Sequence, residues 1–198
     1  MGDPARIAIL GGTFDPIHRG HTEPLLAVAD AMEWERILLL PAATQPFKSG
    51  KAITPPHHRW AMAALATSGD SRFLLSDLEL QRGEISYTVE TLEHLREEYP
   101  ETALEWIIGD DNLDLLPKWR RIDRIFELAN FVVLRRGGTD LPEALGQRAA
   151  RPEGRPRAGR LILVSSPLVP VSATDVRERC RRGESIGGMV APAVEEYI

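Results

Sequence analysis

The sequence predicts an α/β fold: a doubly wound parallel sheet with helices on both faces. Three observations carry this. Six short apolar runs recur along the 198 residues, helical candidates stand between them, and the first run ends in two glycines, a turn and a helix-like stretch. The runs are continuous rather than alternating and rich in Leu and β-branched residues, as in strands buried on both faces. Strand–helix alternation then demands right-handed crossovers and a parallel sheet. Ligands bind such sheets beyond the carboxyl ends of the strands, so Gly11, Pro41, Gly109, Arg135 and Ser165, each following a run, are expected to converge on one cleft.

In chain order, strands are predicted at residues 7–10, 37–40, 73–75, 104–108, 131–134 and 161–164. Helices are predicted at 24–32, 56–67, 88–98 and 122–128. Residues 42–56, rich in Pro, Gly, Thr and Lys, read as a flexible loop after the second strand. Residues 137–159, with little apolar content, read as a partly mobile surface excursion carrying one short helix around 141–149. The basic cluster at 177–182 falls on a last predicted helix. No internal repeat interrupts this order, and the length suits a single domain spanning 1–198.

Composition narrows the function classes. Hydrophobic residues make up 43% and charged residues 27%, an ordinary globular balance. A net charge of −5 with no dominant basic stripe does not suit a nucleic-acid partner. The one cysteine, Cys180, excludes an intramolecular disulfide framework and suits a reducing compartment. Neither a signal peptide nor an apolar run of membrane-spanning length stands in the sequence. A soluble cytoplasmic protein with no membrane partner is expected, and a homo-oligomer is compatible with this composition.

The richest stretch is Gly11-Gly12-Thr13-Phe14-Asp15-Pro16-Ile17-His18-Arg19-Gly20-His21. Glycines at a strand end let the backbone approach a bulky ligand. The helix that follows aims its unpaired N–H groups and positive dipole end at the same place, which suits a phosphate. His18 and His21 can donate to phosphate oxygens there. The spacing is neither Gly-x-Gly-x-x-Gly nor a P-loop, and Lys48-Ser49 lacks the glycines a P-loop needs. A zinc site built on the two histidines lacks an evident third ligand: Cys180, His57, His58 and His94 lie in unrelated contexts.

This run resembles the GGTFDPxHxGH signature of the nucleotidyltransferase superfamily, with each signature position filled. A second run, Val171-Ser-Ala-Thr-Asp-Val-Arg177, resembles that superfamily's ISSTxIR element and departs at Ala173. Read from the residues alone, Ser172 or Thr174 caps a helix whose positive end Asp175 favours, and Arg177 lies one turn on, within reach of a polyphosphate. Further segments are similar to bacterial nicotinate-nucleotide adenylyltransferases: Ser86-Tyr-Thr-Val-Glu-Thr-Leu92, with Glu90 for the usual Asp; Ile108-Gly-Asp-Asp111; Leu116-Pro-Lys-Trp119; and the C-terminal Val190-Ala-Pro192 and Val194-Glu-Glu-Tyr-Ile198. Around the second-strand loop, Phe47 stands for a common His, and Ala42 and Ala43 stand where an Asn is common, while Lys48 is kept.

The resemblance implies a Rossmann-like nucleotidyltransferase fold. It also implies an enzyme that joins ATP and nicotinate mononucleotide, giving nicotinate adenine dinucleotide and pyrophosphate, in NAD biosynthesis. His18, His21, Lys48 and Arg177 are its implied catalytic residues. Gly11, Gly12, Thr13, Phe14, Gly109, Asp111, Ser172 and Thr174 line the implied ATP site. Tyr87, Thr88, Trp119 and Arg120 line the nicotinate mononucleotide site, with Tyr87 packing, Trp119 stacking on the pyridine and N–H groups around Thr88 and Arg120 holding its carboxylate. Mg²⁺ is expected on the triphosphate, held chiefly by ATP oxygens and water rather than by a carboxylate cage. A rival phosphopantetheine adenylyltransferase shares the first motif but lacks the segments at 86–92 and 116–119. A regulator without catalysis is expected to lack one of the phosphate-contacting side chains, and none is missing here. Use of nicotinamide mononucleotide beside the acid remains compatible with these residues.

Overall fold

The computed structural model describes residues 5–44, 53–83, 85–135 and 158–198. Six strands, β1 (Arg6–Gly12), β2 (Arg36–Pro41), β3 (Phe73–Leu75), β4 (Ala103–Gly109), β5 (Asn130–Arg135) and β6 (Leu161–Ser165), form one sheet in the order β3-β2-β1-β4-β5-β6. Every neighbouring pair is parallel. The chain winds outward from β1 to one edge, returns, and winds from β4 to the other. The switch point therefore falls between β1 and β4, where such sheets open a crevice.

Alternation of side chains along each strand divides the core in two. Ile7, Ile9, Leu104, Trp106, Ile108, Phe131 and Val133 face α4 (Thr88–Glu98) and α5 (Ile122–Leu128), meeting Leu92, Leu95, Ile125 and Phe126. Ala8, Ile37, Leu39, Ile107, Val132 and Leu134 face the opposite layer. That layer consists of α1 (Arg19–Ala29), α2 (Pro56–Thr67), α6 (Ala173–Arg181) and α7 (Pro192–Tyr197), which contribute Leu25, Val28, Met62, Val176 and Val194. Both faces being covered explains why the strands read as unbroken apolar runs. Among the described residues no helix is long and apolar enough to cross a membrane.

Several boundaries differ from expectation, each for a local reason. The first helix is expected at 24–32, a run rich in Ala and Leu. It begins at Arg19 and carries Pro24 inside it, ending at Ala29. Proline lacks the N–H that would bond the Gly20 carbonyl, a cost the helix bears within its buried face at Pro24 and Leu25. A short helix, α3 (Leu78–Arg82), was missed; it closes at Gly83 in the left-handed conformation, φ 67°. The start of the expected flexible loop is fastened: Ala42 is buried, and Thr44 bridges Ile85 in parallel register. The end of the expected excursion is likewise held, with Ala158 buried and Gly159 N–H donating to the Ala129 carbonyl at 3.1 Å. The helix expected at 141–149 lies outside the described residues.

Candidate active site at the strand exits

At the exit of β1, Gly11 and Gly12 pair with Leu40 and Pro41 of β2. A Cβ at Gly11 would stand 2.9 Å from the Trp106 ring, and one at Gly12 2.8 Å from the Phe14 ring. The glycines are thus required by packing inside the protein, a reason additional to the ligand approach read from sequence. The chain then turns sharply: Phe14, 2% exposed, holds φ 50°, and Asp15 and Pro16 follow at a cis peptide. Thr13 Oγ1 is buried with no hydrogen-bond partner among the described residues.

The turn delivers both histidines to the first turn of α1. His18 is the N-cap residue in extended conformation, and His21 is the third helical residue. The His18 N–H donates to His21 Nδ1 at 3.2 Å, the His21 N–H donates to the His18 carbonyl at 2.8 Å, and the rings lie 3.7 Å apart. Because Nδ1 of His21 accepts a main-chain N–H, the neutral imidazole carries its proton on Nε2, as a donor. The Phe14 ring meets His21 edge-on at 5.2 Å, fixing its plane. Gly20 permits this packing, since a Cβ there would lie 3.0 Å from His18 Nδ1 and 3.1 Å from the Val171 carbonyl.

That second neighbour belongs to the other motif. Ser172 caps α6, its Oγ accepting the Asp175 N–H at 3.1 Å and donating to the Asp175 carboxylate at 2.6 Å. Thr174 Oγ1 accepts from Arg177 Nη2 at 3.3 Å. Arg177 Nη1 donates to the Asp15 carbonyl at 2.5 Å. The two motifs, 162 residues apart in sequence, therefore meet at Asp15. The Ser172 hydroxyl works as a helix cap, and Thr174 steadies Arg177.

Across the sheet, Gly109 ends β4 opposite Leu134 and caps a single 3-10 turn, Asp110–Asn112, whose Asp111 is exposed. Tyr87 occupies the N-cap position of α4 and Thr88 its first helical position; the Glu90 N–H donates to the Tyr87 carbonyl at 3.0 Å, and the N–H groups of Thr88 and Val89 have no partner within the helix. Arg120 lays its guanidinium 4.4 Å from the centre of the Tyr87 ring and pairs with Glu90 at 3.0 Å. Trp119 is half-buried and meets Phe131 edge-on at 5.8 Å. It is anchored to the core by that edge while part of its surface stays open. Tyr87 packs against the same cluster, as expected. Lys48 lies outside the described residues.

Two residues escaped the sequence reading. Arg59, on α2, is 1% exposed and donates to four main-chain carbonyls: Thr54 from Nε at 2.9 Å, Thr13 and Ala42 from Nη1 at 2.6 and 2.8 Å, and Ala43 from Nη2 at 3.4 Å. Burial pushes this guanidinium below its ordinary value, opposed by the Asp15 carboxylate. The available signal was its place in the buried stripe Arg59, Met62, Ala63, where helical spacing calls for an apolar residue. Glu79, on α3, is 4% exposed and accepts from Thr91 Oγ1 at 2.7 Å. Desolvation raises its carboxyl above the usual range, while bonds from Thr91 and Ser86 act the other way. Ser86 Oγ also accepts the Ala43 N–H at 3.2 Å, tying this side of the site to the exit of β2.

Comparison with known proteins agrees with this arrangement. The sequence model of the family described as Cytidylyltransferase-like matches residues 9–179. The protein named "Probable nicotinate-nucleotide adenylyltransferase" of Roseiflexus sp. (strain RS-1) is 43% identical over 196 residues, covering 98% of this chain and 95% of that one. The protein of the same name from Thermomicrobium roseum is 40% identical, covering 98% and 89%. In three dimensions, the Plasmodium falciparum nicotinic acid mononucleotide adenylyltransferase complexed with NaAD superposes with a TM-score of 0.76 at 21% identity, covering 98% of this chain and 94% of that one. That likeness speaks for the fold. The sequence identity, sustained over nearly the full length of both partners, speaks for descent: this chain belongs to the nicotinate-nucleotide adenylyltransferase family.

Proposed function

We propose that this protein transfers the adenylyl group of ATP to nicotinate mononucleotide, releasing pyrophosphate and nicotinate adenine dinucleotide, in NAD biosynthesis. The observation that carries this is the meeting of the two motifs: Arg177 reaches the Asp15 carbonyl in the very turn that presents His18 and His21. One cluster of donors thereby surrounds the place where a triphosphate must be cleaved.

The attacking atom is a phosphate oxygen of nicotinate mononucleotide, already ionised at neutral pH, so no strong general base is needed. It forms a bond to the α-phosphorus of ATP as the bond to the bridging oxygen breaks and pyrophosphate departs. Catalysis is then alignment plus stabilisation of charge. His21 donates from Nε2 to the α-phosphate, with His18, the Thr13 hydroxyl and the N-terminus of α1 beside it. Gly11, Gly12 and Phe14 shape that turn. Arg177 and Thr174 take the departing pyrophosphate at the start of the helix that Ser172 caps, and Lys48 assists. Gly109 and Asp111 contact the adenosine. On the other side of β1, Trp119 stacks on the pyridine ring. The N–H groups at Thr88 and Arg120 hold its carboxylate, and Tyr87 backs them.

Among the described residues no group of three His, Cys, Asp or Glu gathers to hold a metal. The donors at the site are N–H groups, imidazoles and a guanidinium, a set that fits Mg²⁺ arriving on the triphosphate with ATP oxygens and water as ligands. Bound there, the ion offsets triphosphate charge. The test is pyrophosphate release with ATP and Mg²⁺, comparing nicotinate mononucleotide, its nicotinamide analogue and phosphopantetheine. Preference for the acid is expected. Equal use of acid and amide would overturn the carboxylate site, and no release with any acceptor would overturn the reaction.

A further inference from the structure

Arg59 stands where three stretches of main chain come together and bonds to four of their carbonyls. Its fork spans Thr13 in the β1–α1 turn, Ala42 and Ala43 at the exit of β2, and Thr54 just before α2. All four partners are carbonyl oxygens, and the side chain is 1% exposed. An always-charged, five-donor fork meets this geometry; an ammonium, as a single point, does not. A charge so deeply buried is costly and persists only where its hydrogen bonds are well made. An apolar side chain at position 59 would continue the stripe of Met62 and Ala63. Its use of guanidinium instead is explained by what the Thr13 carbonyl does.

A trans peptide is planar, with its C=O and N–H pointing in opposite directions. Drawing the Thr13 carbonyl to Arg59 therefore turns the N–H of the same peptide, that of Phe14, to the side away from the guanidinium. The peptide sits beside Thr13 Oγ1, buried and unpartnered among the described residues, and just before Asp15, whose carbonyl Arg177 grips. Asp15 is bound on a second side, its carboxylate accepting the Thr54 N–H at 3.4 Å. Arg59, from α2, and Arg177, from α6, thus hold two points of one turn, at Thr13 and at Asp15.

We propose that Arg59 is a positioning residue of the adenylyl-transfer site: by holding the Thr13 carbonyl, it presents the Thr13–Phe14 peptide and the Thr13 hydroxyl to the triphosphate, and it locks the β2 exit to that turn. It touches no substrate. The proposal rests on the reaction given above, and its consequence is asymmetric. Loss of the fork disturbs the triphosphate and the transfer step and leaves the pyridine side, on the other layer of the sheet, undisturbed.

The experiment compares Arg59→Lys and Arg59→Met with the wild-type protein by steady-state pyrophosphate release, thermal melting, and calorimetric titration of a non-hydrolysable ATP analogue and, separately, of nicotinate mononucleotide. For Arg59→Lys, kcat is expected to fall about 10²-fold, the size of effect that small misplacement of reacting groups produces. Analogue affinity is expected to fall about tenfold, with nicotinate mononucleotide affinity held within about twofold and the protein folded at 25 °C, as a displaced phosphate-binding peptide predicts. Unchanged kcat and analogue affinity in a folded Arg59→Lys overturns the proposal. So does a loss of both affinities in step with the folded fraction, or unfolding of both variants, either of which makes Arg59 a stability residue alone. Should the wild-type protein release no pyrophosphate, the reaction above fails, and the analogue titration still decides the role of Arg59.

Discussion

At the β1–α1 turn Arg59 and Arg177 grip main-chain carbonyls, whereas beside Tyr87 and Trp119 the guanidiniums of Arg120, Arg121 and Arg124 grip other side chains. Arg59 and Arg177 each end on carbonyl oxygens of the β1–α1 turn or its neighbours. On the opposite layer, Arg120 lies over the Tyr87 ring and pairs with Glu90, and Arg121 and Arg124 both reach Glu93. The side chains of Arg120 and Glu90 are 53% and 37% exposed. Ion pairs that open to water contribute little, about 0–1 kcal/mol each. A charged group bonded to buried carbonyls fixes the backbone instead. The difference suits two tasks. Charge stabilisation on a reacting phosphate depends on dipoles that do not reorganise, whereas ring and carboxylate recognition tolerates side chains that adjust.

The comparison breaks most visibly at His21. Replacing it with Ala removes a donor oriented by the His18 N–H and by the Phe14 edge. Turnover in the pyrophosphate assay is expected to fall about 10²–10³-fold, the usual cost of one preorganised donor. The capping contact with the His18 N–H goes too, for about 1 kcal/mol of stability, visible as a small drop in Tm. An enzyme of near wild-type kcat would remove His21 from the chemistry.

Trp119→Ala probes the other side, where the effect should be smaller and of a different kind. Loss of a stacking surface worth about 0.5–1.5 kcal/mol raises KM for nicotinate mononucleotide about three- to tenfold, with kcat nearly unchanged. KM for ATP should not move. A variant with depressed kcat and unaltered KM would place Trp119 with the reacting groups and erase the contrast between the two sides.

The smallest expected effect sharpens the comparison at Glu79. Its carboxyl is raised, by desolvation first, so the folded state keeps the proton to higher pH than the unfolded chain. The associated stability is fully present below the ordinary glutamate range and is lost as pH rises through the raised value. Glu79→Gln keeps an oxygen for Thr91 and removes the charge. Its Tm is expected to exceed that of the wild type at pH 8 and to converge with it toward pH 4, with kcat retained. A difference that stays constant with pH would show that ionisation of Glu79 does not enter stability.

Much of this was legible before folding, and the exceptions share a cause. The helices at 56–67, 88–98 and 122–128 and the strand at 73–75 stand at the residues predicted. Local apolar periodicity and flanking Pro or Thr decide such ends. The start of α1 was misjudged because two histidines serve as its N-cap and third residue, positions where oxygen-bearing side chains are the usual signal. The motifs named the histidines, Arg177 and Trp119 because the family resemblance is written in their identities. Arg59 carried no such mark. Its partners are the carbonyls of Thr13, Ala42, Ala43 and Thr54, and a carbonyl looks the same in every residue.

By itself, then, the sequence determined the strand and helix alternation, the covered sheet and the donor groups available for a phosphate, all properties of side-chain type and spacing. The tertiary structure alone decided that β1 lies between β2 and β4, that Arg177 meets Asp15 across 162 residues, and that a buried arginine ties three loops together. The physical reason is that strand order and main-chain hydrogen bonding are settled by global packing. Side-chain pattern tells a residue which face to bury, not which distant carbonyl it will find there.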